Sequence, residues 1–463
     1  MSNAKQALNY FQKNKNQFLK QLYELVEIPS ISFDGYSRKT LEASAKKTAE
    51  LMKKAGLENI KTLKIKKAPP YVYGDWLNAG PKAPTLLLYA HHDVQPPMRE
   101  ELWKTPPFKP TIKNGRLYGR GAADDKGGII LHLASIASYL KTSGKLPINI
   151  KVIIEGEEEV GSEHLLDFLK KHKKMLQADA MILADAANFD TGVPSLTTSL
   201  RGLIALQIET KVMDHPLHSG LWGGPIPDPV MALSKILAGL TDENGEINIP
   251  AIKKMVKPLS SLEKKSLASL KFSPALLKKQ AQVLGSAKLS GKNGSELLQK
   301  LWRRPSLVIN AIEAGGRKIA GNVLMDSAWT RIGLRTVPNM NNKKAYALMV
   351  KKIKELTPWG VEVKITPDSI GNHWSTDISH PIFKTAAAAL KKGFKHETAF
   401  IGCGASIPFT EPFSKALGGV PVLLLGVEDP YTNAHSENES LHLGDFYKTI
   451  ESQIYLFDLL KGA

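Results

Sequence analysis

Apolar and polar positions along the first third of the chain follow two periods. Helical spacing runs from about Ala4 to Glu27, near Leu41 to Ala55 and from Gly127 to Leu140. Between these lie short continuous apolar runs, Thr85 to Ala90 and Ile148 to Glu155, which predict buried strands. Strands alternating with helices argue for an α/β layer on a mostly parallel sheet. Near Leu200 the texture changes. Leu203 to Val212 alternates like a half-buried strand, and a long lysine-rich helical stretch runs from about Ala251 to Trp302. Lys318 to Val337 predicts strand, turn and strand, Lys343 to Leu356 a helix, and Val361 to Ile365 a strand. From His380 the α/β texture returns, with helix Pro381 to Gly393, strand Val420 to Leu425 and closing helix Leu443 to Leu460. The pattern predicts a larger α/β domain in two parts, 1–198 and 375–463, with a smaller α+β domain, 199–374, inserted between them.

Composition narrows the classes. A chain of 463 residues is too long for one ordinary core. With 43% hydrophobic and 23% charged residues it is an ordinary globular protein, without internal repeat or low-complexity linker. Met1 to Lys20 is polar and supports neither a signal peptide nor a membrane span, and the apolar runs elsewhere are too short for one. Cytoplasm is the simplest location. The single cysteine, Cys403, rules out an intrachain disulfide and fits a reducing compartment. It reads either as a small buried hydrophobe or as a nucleophile. A formal charge of +18 invites a nucleic-acid partner. The lysines are spread along the whole chain, however, and no zinc-knuckle or aromatic-basic motif accompanies them, so a lysine-rich surface explains the charge without nucleic acid.

The chemistry lies at strand exits, where open α/β sheets place their sites. His91 ends the run LLLYA, and Asp93 follows at the spacing that puts both side chains on one face of an extended chain. That suits a metal-bound imidazole oriented by a carboxylate. His92 points the other way, toward packing. In LYGRGAADDKGG, Asp124 and Asp125 lead into a helix, where an aspartate can simply be a cap. After the next strand, IEGEEEVGS places Glu157, Glu158 and Glu159 together. Such a run is ordinarily a solvated face, but after a buried strand it more plausibly holds something positive. Asp185 ends MILAD, and His435 follows VPVLLLGV. Two zinc ions a few ångströms apart need one shared carboxylate and about two further ligands each, and these residues supply that count.

The words YAHHDVQP, LYGRGAADDKGG, IEGEEEVGS, ILAD, HPLHSGLWGG, LRTVPNM, GASIPF and NAHSENE resemble, in order, the motifs of the di-zinc metallopeptidases related to carnosinase. That family also holds aminoacylases, acetylornithine deacetylase and succinyl-diaminopimelate desuccinylase. The resemblance runs from about Leu22 to Phe457, and VQP, HSG and VPNM look most like the carnosinase and cytosolic dipeptidase branch. It implies a zinc-peptidase catalytic domain with helices on both faces of its sheet and an inserted lid and dimerisation domain. By motif, Asp124 would bridge two metals, His91 and Asp185 would complete one site, and Glu159 and His435 the other. Glu158 would be the general base and Asp93 the residue orienting His91, with a cis peptide between Asp124 and Asp125. His218 resembles a histidine that reaches the oxyanion across a dimer interface. Arg335 could grip a substrate carboxylate, the alternative being a surface ion pair. Asn322, Gly404 and Ser406 resemble further substrate contacts. Ala90, Ala405 and the missing glycine-histidine turn before Asp377 depart from the pattern, as does the lysine-rich segment; His373 nearby takes no role, and Glu157 is left between a surface and a supporting one.

The resulting expectation is a homodimeric hydrolase with two divalent metal ions, Zn2+ or else Mn2+ or Co2+. It would cleave dipeptides or short peptides with a free C-terminal carboxylate, by a metal-bridged hydroxide with Glu158 as base. The alternative is an N-acyl-amino-acid deacylase on the same metal core. A cysteine hydrolase on Cys403 and His435 would need that histidine free of metal, and a nucleic-acid binder would need salt-sensitive binding.

Overall fold

The computed structural model describes residues 2–317, 320–407 and 410–461. By its internal contacts the chain divides into two compact units. The first comprises Met1–Thr198, Thr376–Ile401 and Phe409–Ala463, the second Ser199–Ser375 and Gly402–Pro408. The short return of 402–408 to the second unit is a boundary that the sequence pattern does not mark.

In the first unit the strand order is Glu58–Leu63, Tyr71–Trp76, Asn149–Glu155, Thr85–His91, Ala180–Leu183, Val422–Leu424 and Ser195–Leu200. The four strands from Asn149–Glu155 to Val422–Leu424 run parallel, and the flanking ones antiparallel. Parallel central strands must be covered on both faces, and two sets of helices do so. Leu86, Leu88, Ala90, Ile150, Val152 and Ile154 share a core with helices Asn3–Val26, Lys126–Leu140 and Leu443–Leu460. The opposite parity, Tyr71 and Tyr89, meets Phe168 of helix Leu165–Leu176 and Phe413 of helix Thr410–Ala416, at ring-centre distances of 4.0 and 5.8 Å. Lys126–Leu140 is apolar around nearly its whole circumference because it lies between the sheet and three outer helices, Asn3–Val26, Arg38–Ala55 and Leu443–Leu460.

The second unit is built on an antiparallel sheet ordered Ser306–Glu313, Ser327–Thr336, Gly202–Lys211, Glu362–Gly371. Ile204, Leu206, Ile208, Ile332 and Leu334 pack with helices Pro229–Gly239 and Asn342–Leu356. The lysine-rich stretch is not one long helix. It forms Pro250–Lys253, Ser261–Ser269, Pro274–Gln280 and Gly294–Trp302. Pro258 and Pro274 cannot continue a helix, and Ser260, Ser273 and Asn293 cap new ones. Of the expected strand, turn and strand, Val323–Leu324 and Ser327–Thr336 form; Lys318, where that reading begins, lies outside the described residues. The edge strand Ser306–Glu313 was not anticipated, because Val308, Ile309 and Ile312 are exposed and the buried-face alternation is absent. Among the described residues no helix is long and apolar enough to cross a membrane.

Candidate metal and substrate sites

His91, the last residue of its strand, is fully buried. Its Nδ1 lies 3.1 Å from the Asp93 carbonyl and 3.4 Å from Asp93 Oδ1, while the Asp93 carboxylate also accepts the N–H groups of Glu158 and Glu159 at 3.2 and 3.1 Å. One aspartate therefore orients the imidazole and fixes the turn carrying two glutamates. His92 donates its ring to packing instead, with Nε2 2.8 Å from the Pro70 carbonyl. Gly156 is required beside it, since a Cβ there would stand 2.7 Å from that nitrogen.

The two adjacent aspartates divide the roles that the sequence leaves open. Asp125 is the helix cap, accepting the Gly128 N–H at 3.1 Å and the His91 N–H at 3.3 Å. Asp124, joined to it by a cis peptide, presents Oδ1 to His91 Nε2 and Oδ2 to His435 Nε2, each at 3.1 Å. His435 Nε2 is also 3.1 Å from Glu159 Oε2. Potential ligand atoms lie within 4.8 Å of one another in two sets, His91 with Glu158 and Asp185, and Asp124 with Glu159 and His435.

Sequence reasoning missed two supporting residues, Glu428 and Glu439, and left a third, Glu157, between a surface and a supporting role. Glu428 joins Asp124 and Asp185 in a third such set, and it too follows a strand run, the signal that found the others. Glu439 pairs with buried Arg120 at 2.7 Å and accepts the N–H groups of Gly121, Ala123 and Asp124 at 2.9, 3.0 and 3.1 Å. Glu157 accepts from Tyr71 Oη at 2.8 Å and from the His164 N–H at 3.1 Å, with His164 Nδ1 at 2.9 Å, so it ties down the base of the glutamate turn.

The concentration of carboxylates shifts their protonation. Burial raises Glu158 well above the usual carboxylate range; His91 opposes this, and Asp185, Glu159 and Asp124 add to it. Burial, then Asp124, pushes Glu159 up to about 7 and Asp185 up to about 6. Hydrogen bonds to Asp124 and Glu159 lift His435 to about 11. His91 Nε2 is buried and makes no directional hydrogen bond despite the nearby Asp124 oxygen. An orphaned imidazole nitrogen among crowded carboxylates is the environment that divalent cations relieve, so the residues fit a metal pair. A further acidic set, Asp429, His442 and Asp445, has another explanation: Asp429 is held by Arg116 through two contacts of 2.8 Å.

In the second unit, Arg335 Nη1 donates to Ser406 Oγ at 2.8 Å, leaving that hydroxyl able to donate. No carboxylate pairs with Arg335 among the described residues. The loop with Gly404 and Ser406 is gripped by Arg201, whose Nε donates to the Gly404 carbonyl at 2.9 Å and whose N–H reaches the Ala405 carbonyl at 3.1 Å. A Cβ at Gly404 would stand 3.0 Å from the Arg201 guanidinium, so glycine permits that approach. His218 is exposed; Leu217–His218 pairs with Val323–Leu324, and the Ser219 N–H bonds the Asn322 carbonyl at 2.9 Å, which brings His218 and Asn322 into one neighbourhood. His373 Nε2 lies 2.9 Å from the Met340 carbonyl.

Comparison with known proteins finds a family match that begins later than Leu22 and ends at residue 457, and full-length relatives that cover nearly the whole chain. The family model described as peptidase family M20/M25/M40 matches residues 87–457. The Cys-Gly metallodipeptidase DUG1 of Candida albicans is 33% identical over 454 residues, covering 93% of this chain and 92% of that protein. The human Beta-Ala-His dipeptidase is 30% identical over 386 residues, covering 81% and 74%. The solved structure of the dipeptidase Dug1p from Saccharomyces cerevisiae superposes with a TM-score of 0.87 at 29% identity, covering 100% of both chains.

Proposed function

The chain belongs to peptidase family M20/M25/M40, and from that premise we propose that it is a di-metal dipeptidase, hydrolysing the amide bond of dipeptides or short peptides with a free C-terminal carboxylate. The observation that carries the reading is the Asp124 carboxylate, which offers one oxygen to each of two histidines that belong to separate carboxylate-rich sets.

Asp124 would be shared between two divalent ions, with His91 and Asp185 holding one and Glu159 and His435 the other. Imidazole and carboxylate donors suit zinc, with manganese or cobalt as substitutes. When bound, such ions supply Lewis acidity that polarises a carbonyl and lowers the pKa of water. Glu158, whose burial makes it a stronger proton acceptor than an ordinary carboxylate, takes the proton of the attacking water and returns it to the leaving amine. Asp93 keeps His91 oriented through Nδ1. Arg335 and the Ser406 hydroxyl are assigned to the substrate's terminal carboxylate, with Gly404 and Asn322 as neighbouring contacts. His218 is assigned to the developing oxyanion across a homodimer interface. The exposed Leu221 and Trp222 beside it, and the apolar edge strand Ser306–Glu313, support association through the inserted unit. A cytoplasmic location is the simplest one, and the lone cysteine is compatible with a reducing compartment.

The test is mass spectrometry of a pool containing Cys-Gly, β-Ala-His, other dipeptides and N-acetyl amino acids, incubated with metal-reconstituted protein. Loss of dipeptides is the expected result. Loss of the acetylated compounds alone would overturn the dipeptidase assignment in favour of a deacylase.

A further inference from the structure

The lysine-rich segment encloses space that the proposed reaction does not use. A cavity of about 480 Å³ lies within the second unit, walled partly by helices Pro274–Gln280 and Gly294–Trp302. That volume is typical of small-molecule sites, as is an apolar lining with a few polar groups. Ile247, Leu277, Leu297 and Leu301 form much of the apolar wall. The charged groups are Arg201, Lys253, Lys300 and Arg304, with Glu246 the only carboxylate among the lining residues. Glu246 is already shared by Lys300 at 2.6 Å, Arg304 at 3.4 Å and Lys253 at 3.5 Å.

Arg201 has no carboxylate partner among the described residues, although it is only 9% exposed. Its donors go to neutral acceptors: the Gly404 carbonyl, Ser306 Oγ at 2.9 Å and the Lys300 carbonyl at 3.4 Å. Burial and the neighbouring Arg335 hold its pKa down to about 10, with Cys403 opposing them. Burying a guanidinium without an anion is unfavourable, and an anion entering this cavity would relieve it.

We propose that this cavity binds a small amphipathic monocarboxylate, an aliphatic or aromatic acid whose apolar body lies against Leu277 and Leu297 and whose carboxylate meets Arg201 and Lys300. The cavity adjoins the carboxylate grip assigned to Arg335 and Ser406, since its lining residue Ser306 pairs with Arg335 across the sheet, but neither Arg335 nor Ser406 lines it. Because Arg201 also holds Gly404, an occupant bears on the loop that carries Ser406; this coupling rests on the dipeptidase reading, whereas binding itself does not.

The test is calorimetric titration of the full-length, metal-reconstituted protein with octanoate, using 1-octanol as its uncharged twin. Octanoate is expected to bind at one saturable site, at least tenfold more tightly than octanol. Leu277→Trp, which fills the cavity, and Lys300→Gln, which removes a cation near the surface, should each weaken octanoate tenfold or more, while Arg335→Met, which removes only a neighbouring charge, should weaken it by less than either. A cooperative melt of each variant confirms folding, and Lys300→Gln carries the test alone if Leu277→Trp does not fold. The proposal is overturned by no octanoate binding, by equal binding of octanol, or by unchanged affinity in folded Lys300→Gln. Loss of binding in Arg335→Met with Leu277→Trp unaffected also overturns it, since octanoate would then sit on the substrate grip. Because the readout is binding, failure of the dipeptidase reading leaves this result independent.

Discussion

Glu439 accepts the backbone N–H of Asp124 at 3.1 Å, so the residue offered to both histidines is held in place from a segment more than three hundred positions away. The same carboxylate neutralises buried Arg120. Replacing it with glutamine keeps the shape but leaves Arg120 without its charge partner. Glu439→Gln is expected to lower metal affinity about 10- to 100-fold, the usual cost of losing a group that positions a ligand, and to destabilise the fold by about 3 kcal/mol. Metal titration and denaturant unfolding measure the two effects; unchanged metal affinity would show that the Asp124 loop holds its place unaided.

Glu158→Gln separates catalysis from metal retention. If Glu158 carries the proton, the variant keeps two equivalents of metal by elemental analysis and loses about 10²- to 10⁴-fold in kcat. A loss of metal in step with activity would make it a ligand instead.

For Arg335→Met the expected loss is about 10- to 100-fold in kcat/KM for dipeptides, as for a removed charge-assisted bond, with little change for dipeptide amides. Equal losses on both substrates would remove the carboxylate assignment.

Acid should weaken the first unit through His132. Its ring is buried, with nitrogens 3.0 Å from Gln453 Oε1 and 3.1 Å from the Tyr89 carbonyl, and burial drives its pKa from the ordinary 6.5 down to about 4. The folded state favours the neutral ring, so this contribution is fully present above pH 6.5 and is lost as pH falls from 6.5 to about 4. It amounts to about 3 kcal/mol. His132→Gln should flatten the stability profile across that window in denaturant titrations, and a profile as steep as the parent's would assign the acid sensitivity elsewhere.

Local signals survive well in this chain. The closing helix Leu443–Leu460 has both predicted ends, because an apolar stripe and its flanks are encoded within one segment. The strand-exit positions of His91 and Asp185 were legible for the same reason, whereas His435 stands in a loop eleven residues beyond the strand Val422–Leu424. What spacing could not decide was which of Asp124 and Asp125 caps the helix, since both stand at its start and only tertiary contacts separate them. Arg120 and Glu439 carry no local mark of their partnership. Glu157 looked like part of a charged run because its partners Tyr71 and His164 come from other elements. The breaks in the lysine-rich stretch were readable from Pro258 and Pro274, but its helical composition outweighed them.

The strand Val422–Leu424 sits between Ala180–Leu183 and Ser195–Leu200, inside the sheet rather than at its rim. During synthesis, therefore, the early strands leave the ribosome with a gap between them and two unpaired edges facing each other. That gap stays open until residue 424 is available, and the cluster has neither His435 nor the Glu439 brace until a few residues later. A nascent chain stalled before that point would be both unfinished as a sheet and unable to retain its ions, so the last tenth of the polypeptide acts as the key that closes both at once.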